Sequence, residues 1–320
     1  MMRSSMLALA LAIAGSNAMA QPYPNKPVRL VVGFAPGGAA DTVARALSEP
    51  LGRILGQPII VENRPGAGSS IAAENVAKSA PDGYSVLIAS PSSISVNPAI
   101  NAKLTYKPSD LAPITKVSSS PLLIVVNPAL GINSVRDLVA AAKKEPGKLN
   151  YATSGVGSAP HFGAAHFSQV AGVQMVHVPF KGGSPAITSV VAGDTQLSFA
   201  TPPSVLGMVK ASRLKALAVT SRERSALMPE IPGMAEAGLP DFAMAFWYGL
   251  FVPAGTPADV VKKLYAATIE ATQKPEFKAA LAREGTEVAI SASPEEFAAF
   301  LAEDAKFWAK LAKDSGATAD

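Results

Sequence analysis

The chain has 320 residues, of which 48% are hydrophobic and 16% charged; it contains no cysteine and carries a formal net charge of +4. The missing cysteines exclude disulfide frameworks, thiolate metal sites and a cysteine nucleophile, and they suit an oxidising compartment. The composition also excludes a disordered chain. Nucleic-acid binding has no support, because the small positive excess is spread along the sequence without a basic run.

The first 20 residues have the pattern of a secretory signal peptide. Arg3 precedes an apolar run over 6–14, and Ala18-Met19-Ala20 has the A-x-A pattern of a cleavage site. The apolar run is too short to span a bilayer, and no later stretch has the roughly 18 uninterrupted apolar residues of a transmembrane helix. We therefore expect residues 1–20 to be a signal peptide that is cleaved on export.

After the signal, strand-like and helix-like segments alternate. Apolar and β-branched runs predict strands over 28–34, 58–62 and 84–89, and amphipathic periodicity predicts helices over 41–56 and 69–79. The resulting βαβαβ order is typical of a parallel sheet with right-handed crossovers and with helices on both faces.

The same alternation then begins again. Strands are predicted over 122–128, 149–153, 176–180, 197–200 and 214–219, and helices over 134–144, 160–171 and 186–192. A strand over 246–252 is predicted to return to the first sheet, and helices after Thr256 end the chain. Two such units indicate an α/β fold with two lobes and mainly parallel sheets with flanking helices. We expect lobe 1 to comprise 21–120 plus 245–320, and lobe 2 to comprise 121–244 with crossing hinge strands.

Two loops share one design, in which a strand, a glycine-rich turn and a helix start follow one another. The first is FAPGG at 34–38, and the second is TSGVGS at 153–158. Small residues let backbone N–H groups approach a ligand, and the unpaired N–H groups of a helix start attract an anion. Because ligands of open α/β sheets bind at the carboxyl ends of the strands, one loop from each lobe is expected to grip a carboxylate. In the alternative interpretation, the glycines form tight turns only.

Four further side chains are candidates for ligand contact, each with a structural alternative. Asp41 either caps the first helix or contacts the ligand, and His161, in the first turn of its helix, is placed for a polar contact. Lys181 either pairs with a second carboxylate of the ligand or forms a salt bridge elsewhere. Phe199 ends an apolar strand, as Phe34 does, and either lines a pocket or belongs to the core.

Catalytic and cofactor motifs are missing from the sequence. Neither glycine loop is a P-loop or a G-x-G-x-x-G motif, and no G-x-S-x-G elbow occurs. His161 and His166 are five residues apart and His177 lies in a separate predicted strand, which does not match the spacing of zinc ligands. We therefore expect a binding protein without a cofactor, a metal or catalytic residues, and not an enzyme.

Several motifs, taken in order, resemble those of the tripartite tricarboxylate transporter substrate-binding proteins, the Bug family. They are VGFAPGG at 32–38, ENRPGAG at 62–68, PDGY at 81–84, YATSGVGS at 151–158, PFKG at 179–182 and WYGLFVPAGTP at 247–257. The resemblance runs from about Tyr23 to the end of the chain. It departs at Phe180, where the family pattern has a tyrosine, and this departure favours a less polar ligand.

The resemblance implies a periplasmic binding protein of the type II-like Venus-flytrap fold, a monomer whose lobes close on a small carboxylate: a dicarboxylate, an acidic amino acid or an aromatic acid. It implies that backbone amides of both glycine loops hold the carboxylate, partly through water, and that the protein delivers it to integral-membrane transporter subunits. The contacts carried over are Phe34, Gly37, Gly38, Asp41, Ser154, Gly157, Ser158 and His161. An alternative output on the same fold is signalling to a membrane sensor kinase.

Overall fold

A computed structural model describes residues 23–314, so the predicted signal peptide at 1–20 lies outside the described residues. The described chain forms two β-sheets with helices packed around them. Within residues 23–314, no helix has the length and apolar character needed to cross a membrane.

The first sheet contains six strands drawn from both ends of the described chain. They are β1 (Val28–Val32), β2 (Ile59–Asn63), β3 (Ser85–Ala89), β4 (Leu111–Pro121), β10 (Ala245–Pro253) and β11 (Glu287–Val288). Their order across the sheet is β11-β4-β10-β3-β1-β2. Strands β1, β3 and β10 are buried along nearly their whole length, as expected for strands with helices on both faces.

Six helices accompany the first sheet. They are α1 (Ala39–Leu55), α2 (Ser70–Ala77), α3 (Asn97–Ile100), α8 (Ala258–Gln273), α9 (Pro275–Arg283) and α10 (Pro294–Asp314). In α1, Val43, Leu47 and Leu51 recur at helical spacing and are all buried, so one apolar face packs on the sheet. Gly56 ends this helix in the left-handed conformation (φ 72°), where its N–H reaches the Gly52 carbonyl.

The second sheet contains the middle of the chain. Its strands are β5 (Leu123–Val126), β6 (Asn150–Thr153), β7 (Val176–Pro179), β8 (Leu197–Ala200) and β9 (Lys215–Val219), in the order β7-β6-β8-β5-β9. Its helices are α4 (Val135–Lys144), α5 (Ala159–Ala171), α6 (Gly183–Ala192) and α7 (Pro202–Lys210). Helix α4 begins as its sequence predicts, because the Ser134 side chain accepts a hydrogen bond from the Asp137 N–H.

Each sheet combines parallel and antiparallel neighbours, and this corrects the expectation of mainly parallel sheets. Strand β1 pairs in parallel with β2 and β3, and β6 pairs in parallel with β7 and β8. The strands next to the two places where the chain passes from one sheet to the other are antiparallel to their neighbours. Strand β10 lies antiparallel to β3 and β4, and β5 lies antiparallel to β8 and β9. Strand direction at a crossing depends on where the chain comes from, which local sequence patterns do not record.

The sequence pattern does not predict β4, which carries the chain toward the second sheet. Its sequence, LAPITKVSSSP, has no continuous apolar run and contains two prolines and three serines. It nevertheless pairs with β10 from end to end, with Leu111 opposite Pro253 and Pro121 opposite Ala245. Leu122 then leads directly into β5. Since the crossings follow β4 and β9, we propose the lobe boundaries expected from the sequence, at 120/121 and 244/245.

Thr220 ties the crossing segments together. Its Oγ1 accepts a hydrogen bond from the Leu122 N–H at 2.7 Å and donates one to the Met244 carbonyl at 2.8 Å. Its own N–H donates to the Leu122 carbonyl, and its carbonyl accepts from the Met244 N–H, both at 2.8 Å. Because Thr220 has no exposed surface, the start of β5, the end of β9 and the approach to β10 are all held at one buried residue.

Candidate functional site

A cavity of about 390 Å³ is enclosed by loops and helix starts of both sheets. Six residues predicted to bind ligand line it: Phe34, Gly37, Gly38, Ser154, Ser158 and Lys181. The remaining four, Asp41, Gly157, His161 and Phe199, do not line it. The structure therefore brings the two glycine loops together at one cavity, as predicted, but gives some of the neighbouring side chains other positions.

Helix starts surround this cavity. The first turns of α1, α5, α6 and α7 all contribute residues to its wall. Lys181 lies two residues before the start of α6 and is exposed. No Asp or Glu of the described residues lines the cavity. Helix starts carry partial positive charge, so the cavity attracts anions and provides no carboxylate to pair with a cation.

The two glycine loops have the same geometry. Gly37 and Gly157 each precede the residue that caps a helix, and their φ angles are 79° and 76°. The Gly37 N–H donates to Asp41 Oδ2 at 2.8 Å, and the Gly157 N–H donates to His161 Nδ1 at 3.3 Å. In both loops the acceptor lies four residues further along, in the first turn of the helix. Each turn is thus held in shape by a side chain of its own helix.

This geometry corrects the predictions for Asp41 and His161. The first helix begins at Ala39 with Gly38 as its cap, so Asp41 is its third residue and is not the capping residue. Both side chains are buried, and both accept hydrogen bonds from the loop instead of facing the cavity. The Gly157 N–H is taken up in the same way. We infer that these groups shape the loops and do not contact the ligand directly.

Asp41 also links the first loop to the neighbouring strand. Its carboxylate accepts hydrogen bonds from Arg45 Nε at 2.9 Å and from Asn63 Nδ2 at 2.9 Å, and Asn63 Nδ2 also donates to the Phe34 carbonyl at 3.0 Å. Burial raises the pKa of Asp41, but the hydrogen bonds from Arg45, Gly37 and Asn63 together outweigh burial and lower it. Asp41 is therefore ionised at neutral pH, and its carboxylate already accepts hydrogen bonds from Gly37, Arg45 and Asn63.

The hydrogen-bond donors that remain unpaired at the cavity are backbone N–H groups of the helix starts. The N–H groups of Ala39, Ala40 and Ala159 have no acceptor within residues 23–314, because the first turn of a helix has no internal partner for them. Ala39, Ala40 and Ala159 all line the cavity. Both lobes therefore present unpaired donors to the same cavity.

His161 packs in an aromatic stack behind the second glycine loop. Its ring lies 4.1 Å from that of His177, nearly parallel, and the His177 ring lies 5.1 Å from that of Tyr151. Burial, with a smaller contribution from His177, lowers the pKa of His161 to about 4. His161 is therefore neutral at neutral pH and free to accept the Gly157 N–H. The sequence did not predict this stack because its members come from different elements.

The folded protein should lose stability as the pH falls from about 6.5 to about 4, because unfolded His161 takes up a proton in that range and folded His161 does not. The shift corresponds to roughly 3 kcal/mol at most. Thermal unfolding measured from about pH 7 to about pH 4 tests this. His161→Gln, which does not titrate, should give a flatter profile over the range; an identical profile would contradict the assignment.

Phe199 belongs to the core, and its prediction as a ligand contact is corrected. It has no exposed surface and packs against Phe167 and Phe242 at ring separations of 5.2 and 6.5 Å. Its strand neighbours Ser198 and Ala200 line the cavity instead. Side chains alternate between the two faces of a strand, so the residue between two cavity residues must face away.

Two aromatic residues of the cavity wall were not predicted from the sequence. Phe246 and Tyr248 line the cavity from β10. Their spacing of two residues places them on one face of a strand, which is the pattern that could have identified them. Burial raises the pKa of Tyr248, so the phenol stays protonated and can donate a hydrogen bond. Among the described residues, no three His, Asp or Glu side chains converge in a way that could hold a metal ion.

Comparison with known proteins agrees with this architecture. The model of the tripartite tricarboxylate transporter family receptor matches residues 43–317. Protein BugT of Bordetella pertussis (strain Tohama I) is 35% identical over 300 residues, which cover 93% of this chain and 92% of BugT.

Two solved structures extend the comparison to the fold. An R. palustris protein solved with adipate has a TM-score of 0.86 and 30% identity, covering 92% of this chain and 99% of its own. MatC from Rhodopseudomonas palustris, with bound malate, has a TM-score of 0.83 and 30% identity, covering 90% and 99%. Sequence and fold together show that this chain belongs to the tripartite tricarboxylate transporter receptor family, the Bug proteins, which are periplasmic solute-binding receptors.

Proposed function

We propose that this receptor binds a small dicarboxylate between its two lobes, with one carboxylate held by backbone N–H groups at the starts of α1 and α5. The observation that carries this proposal is the pair of matched glycine loops, one from each sheet, with unpaired N–H groups of Ala39 and Ala159 at one cavity. Adipate and malate, the ligands of two structural neighbours, are both dicarboxylates.

The charges around the cavity support a dicarboxylate over an amino acid. No Asp or Glu of the described residues lines the cavity, and the nearby Asp41 is already bound to Gly37, Arg45 and Asn63. An α-ammonium group would therefore find no carboxylate partner, and burying it unpaired is costly. Lys181 and the start of α6 supply positive charge for a second carboxylate.

In this proposal residues 1–20 direct export and are then cleaved, and the mature protein acts as a monomer in the periplasm. Ligand contacts both lobes only when they are closed, so binding shifts the population toward the closed state by its differential affinity. The closed receptor then delivers the dicarboxylate to integral-membrane transporter subunits. The family match favours this output over signalling to a sensor kinase.

Calorimetric titration tests the ligand class. The protein is first unfolded and refolded to remove any bound ligand, and is then titrated with adipate, malate, aspartate, benzoate and butyrate. We expect adipate or malate to bind most tightly and to raise thermal stability, by about 2.7 kcal/mol at a hundredfold excess over Kd. Tighter binding of aspartate or benzoate would contradict the dicarboxylate proposal, and binding of none of the five acids would contradict carboxylate capture.

Lys181→Met should weaken binding of adipate roughly 1.4- to fivefold, because an exposed ion pair contributes about 0.2–1 kcal/mol. Hexanoate has the same chain length but lacks the second carboxylate, so its affinity should not change. Lys181→Arg keeps the charge and serves as the matched control. An equal loss for both acids would show that Lys181 does not recognise the second carboxylate.

A further inference from the structure

Asn97, the first residue of α3, holds a loop of lobe 1. Its Nδ2 donates hydrogen bonds to the carbonyls of Ala67 and Gly68, both at 3.0 Å, and to Ser70 Oγ at 2.7 Å. The side chain is almost fully buried, with 5% exposed. Ala67 and Gly68 belong to the connection between β2 and α2, and Ser70 is the first residue of α2, so a single carboxamide fixes the path of that connection.

This loop needs such a partner because its backbone is strained. Residues 66–69 all have positive φ angles of 133°, 47°, 59° and 75°. Two of the four, Ala67 and Ser69, are not glycine, and L side chains rarely adopt the left-handed region. A run of this kind persists only where surrounding groups hold it in place. The hydrogen bonds from Asn97 supply part of that constraint.

The other end of the same carboxamide faces lobe 2. A Cβ placed on Gly157 would lie 3.0 Å from Asn97 Oδ1 and 3.9 Å from Ile100 Cδ1. The backbone of the second glycine loop therefore rests against the start of α3, and a side chain at Gly157 would crowd Asn97 Oδ1. Asn97 contacts a strained loop of its own lobe and a ligand-binding loop of the opposite lobe.

We propose that Asn97 is a positioning residue for ligand binding: it fixes loop 66–70 of lobe 1 and forms the surface on which Gly157 of lobe 2 rests when the lobes close. This inference rests on the proposed function. The contact joins opposite lobes, so a movement that separates the second glycine loop from α3 breaks it, and the contact favours the arrangement in which the two meet. A Cβ on Gly157 would crowd Asn97 Oδ1, so either the second glycine loop or the Asn97 side chain would have to shift by a few tenths of an ångström.

A pair of glycines provides a matched test. Gly157 and Gly147 have φ angles of 76° and 75°, but a Cβ on Gly147 would meet nothing within 4 Å. Gly157→Ala and Gly147→Ala thus introduce the same backbone strain, and only the first introduces the clash. We expect Gly157→Ala to raise the Kd for adipate or malate about tenfold or more, and Gly147→Ala to change it less than about twofold.

The distance between the lobes provides a second readout. Because the chain has no cysteine, nitroxide labels can be attached only at introduced positions, here the exposed Lys262→Cys in lobe 1 and Lys143→Cys in lobe 2. In Gly157→Ala the distribution of distances should shift to longer values, whereas Gly147→Ala should match the parent. Equal distributions in the two glycine variants would overturn the inference.

A double-mutant cycle assigns the effect to Asn97. If the two residues act through their contact, Gly157→Ala should raise Kd less than about threefold in an Asn97→Ala background. The same fold-change in both backgrounds would overturn the role of Asn97. Should the parent protein bind neither adipate nor malate, the dicarboxylate proposal fails, while the label distances still decide whether the Asn97 contact holds the lobes closed.

Discussion

Replacing Ala39 by proline should weaken dicarboxylate binding roughly 10- to 150-fold while leaving the fold intact. Ala39 is the first residue of α1, where proline is tolerated because its missing N–H has no helical partner. Gly38 before it already has the extended ψ of 171° that a following proline requires. The change therefore removes one N–H donor, and a hydrogen bond to a charged group contributes about 1.5–3 kcal/mol.

The same substitution elsewhere provides the controls for this experiment. Ala258→Pro changes the first residue of α8, an exposed alanine outside the cavity wall, and should leave adipate affinity unchanged. Ala159→Pro removes the corresponding donor of lobe 2, where Ser158 has a ψ of 161°, and should cause a loss similar to that of Ala39→Pro. Unchanged affinity in both cavity variants, measured by calorimetry with unfolding temperatures as the check on folding, would refute capture by backbone amides.

Thr220→Val should lower the free energy of unfolding by roughly 2–4 kcal/mol, although valine has nearly the same shape as threonine. The change leaves the Leu122 N–H and the Met244 carbonyl without their hydroxyl partner in a fully buried place. Each buried polar group left unpaired costs about 1–3 kcal/mol. The unfolding temperature should fall by roughly 3–6 °C, as measured by calorimetry or circular dichroism.

Two further variants separate the hydroxyl from the methyl group. Thr220→Ser keeps the hydroxyl and should recover most of the stability that Thr220→Val loses. Thr188→Val, an exposed threonine of α6, should change the free energy of unfolding by less than about 0.5 kcal/mol. If Thr220→Val is as stable as the parent protein, the hydroxyl does not tie the crossing segments together.

Local sequence patterns predicted well those features whose hydrogen bonds close within a few residues. Most strands and helices of both units, and the two turns at 34–38 and 153–158, were found because glycine, small residues and helical periodicity act over short distances. Strand β4 and the helices α3 and α7 were not predicted. The first helix was placed two residues late, since its start at Ala39 is capped by Gly38, which offers no side-chain signal. The cavity does lie at the two predicted loops.

Side-chain roles near the loops were harder to predict, because they depend on which face of an element a residue occupies. Phe199 was a candidate for the cavity, yet its neighbours Ser198 and Ala200 take that face. Asp41 and His161 lie close to the ligand loops in sequence, but their polar atoms point back to Gly37 and Gly157. An N–H and its acceptor four residues away can be proposed from spacing, but whether the pair forms depends on the turn geometry.

The sequence by itself determined the two-lobed α/β class, the two glycine loops with their helix starts, and the absence of thiol chemistry. Only the tertiary structure decided the mixed strand directions, the crossing strand β4, the buried tie at Thr220 and the contact between Asn97 and Gly157. The physical reason is distance along the chain. A helix start or a glycine turn is specified by neighbouring residues. Contacts between lobes join segments far apart in the sequence, and the local pattern of one segment does not indicate which other segment it meets.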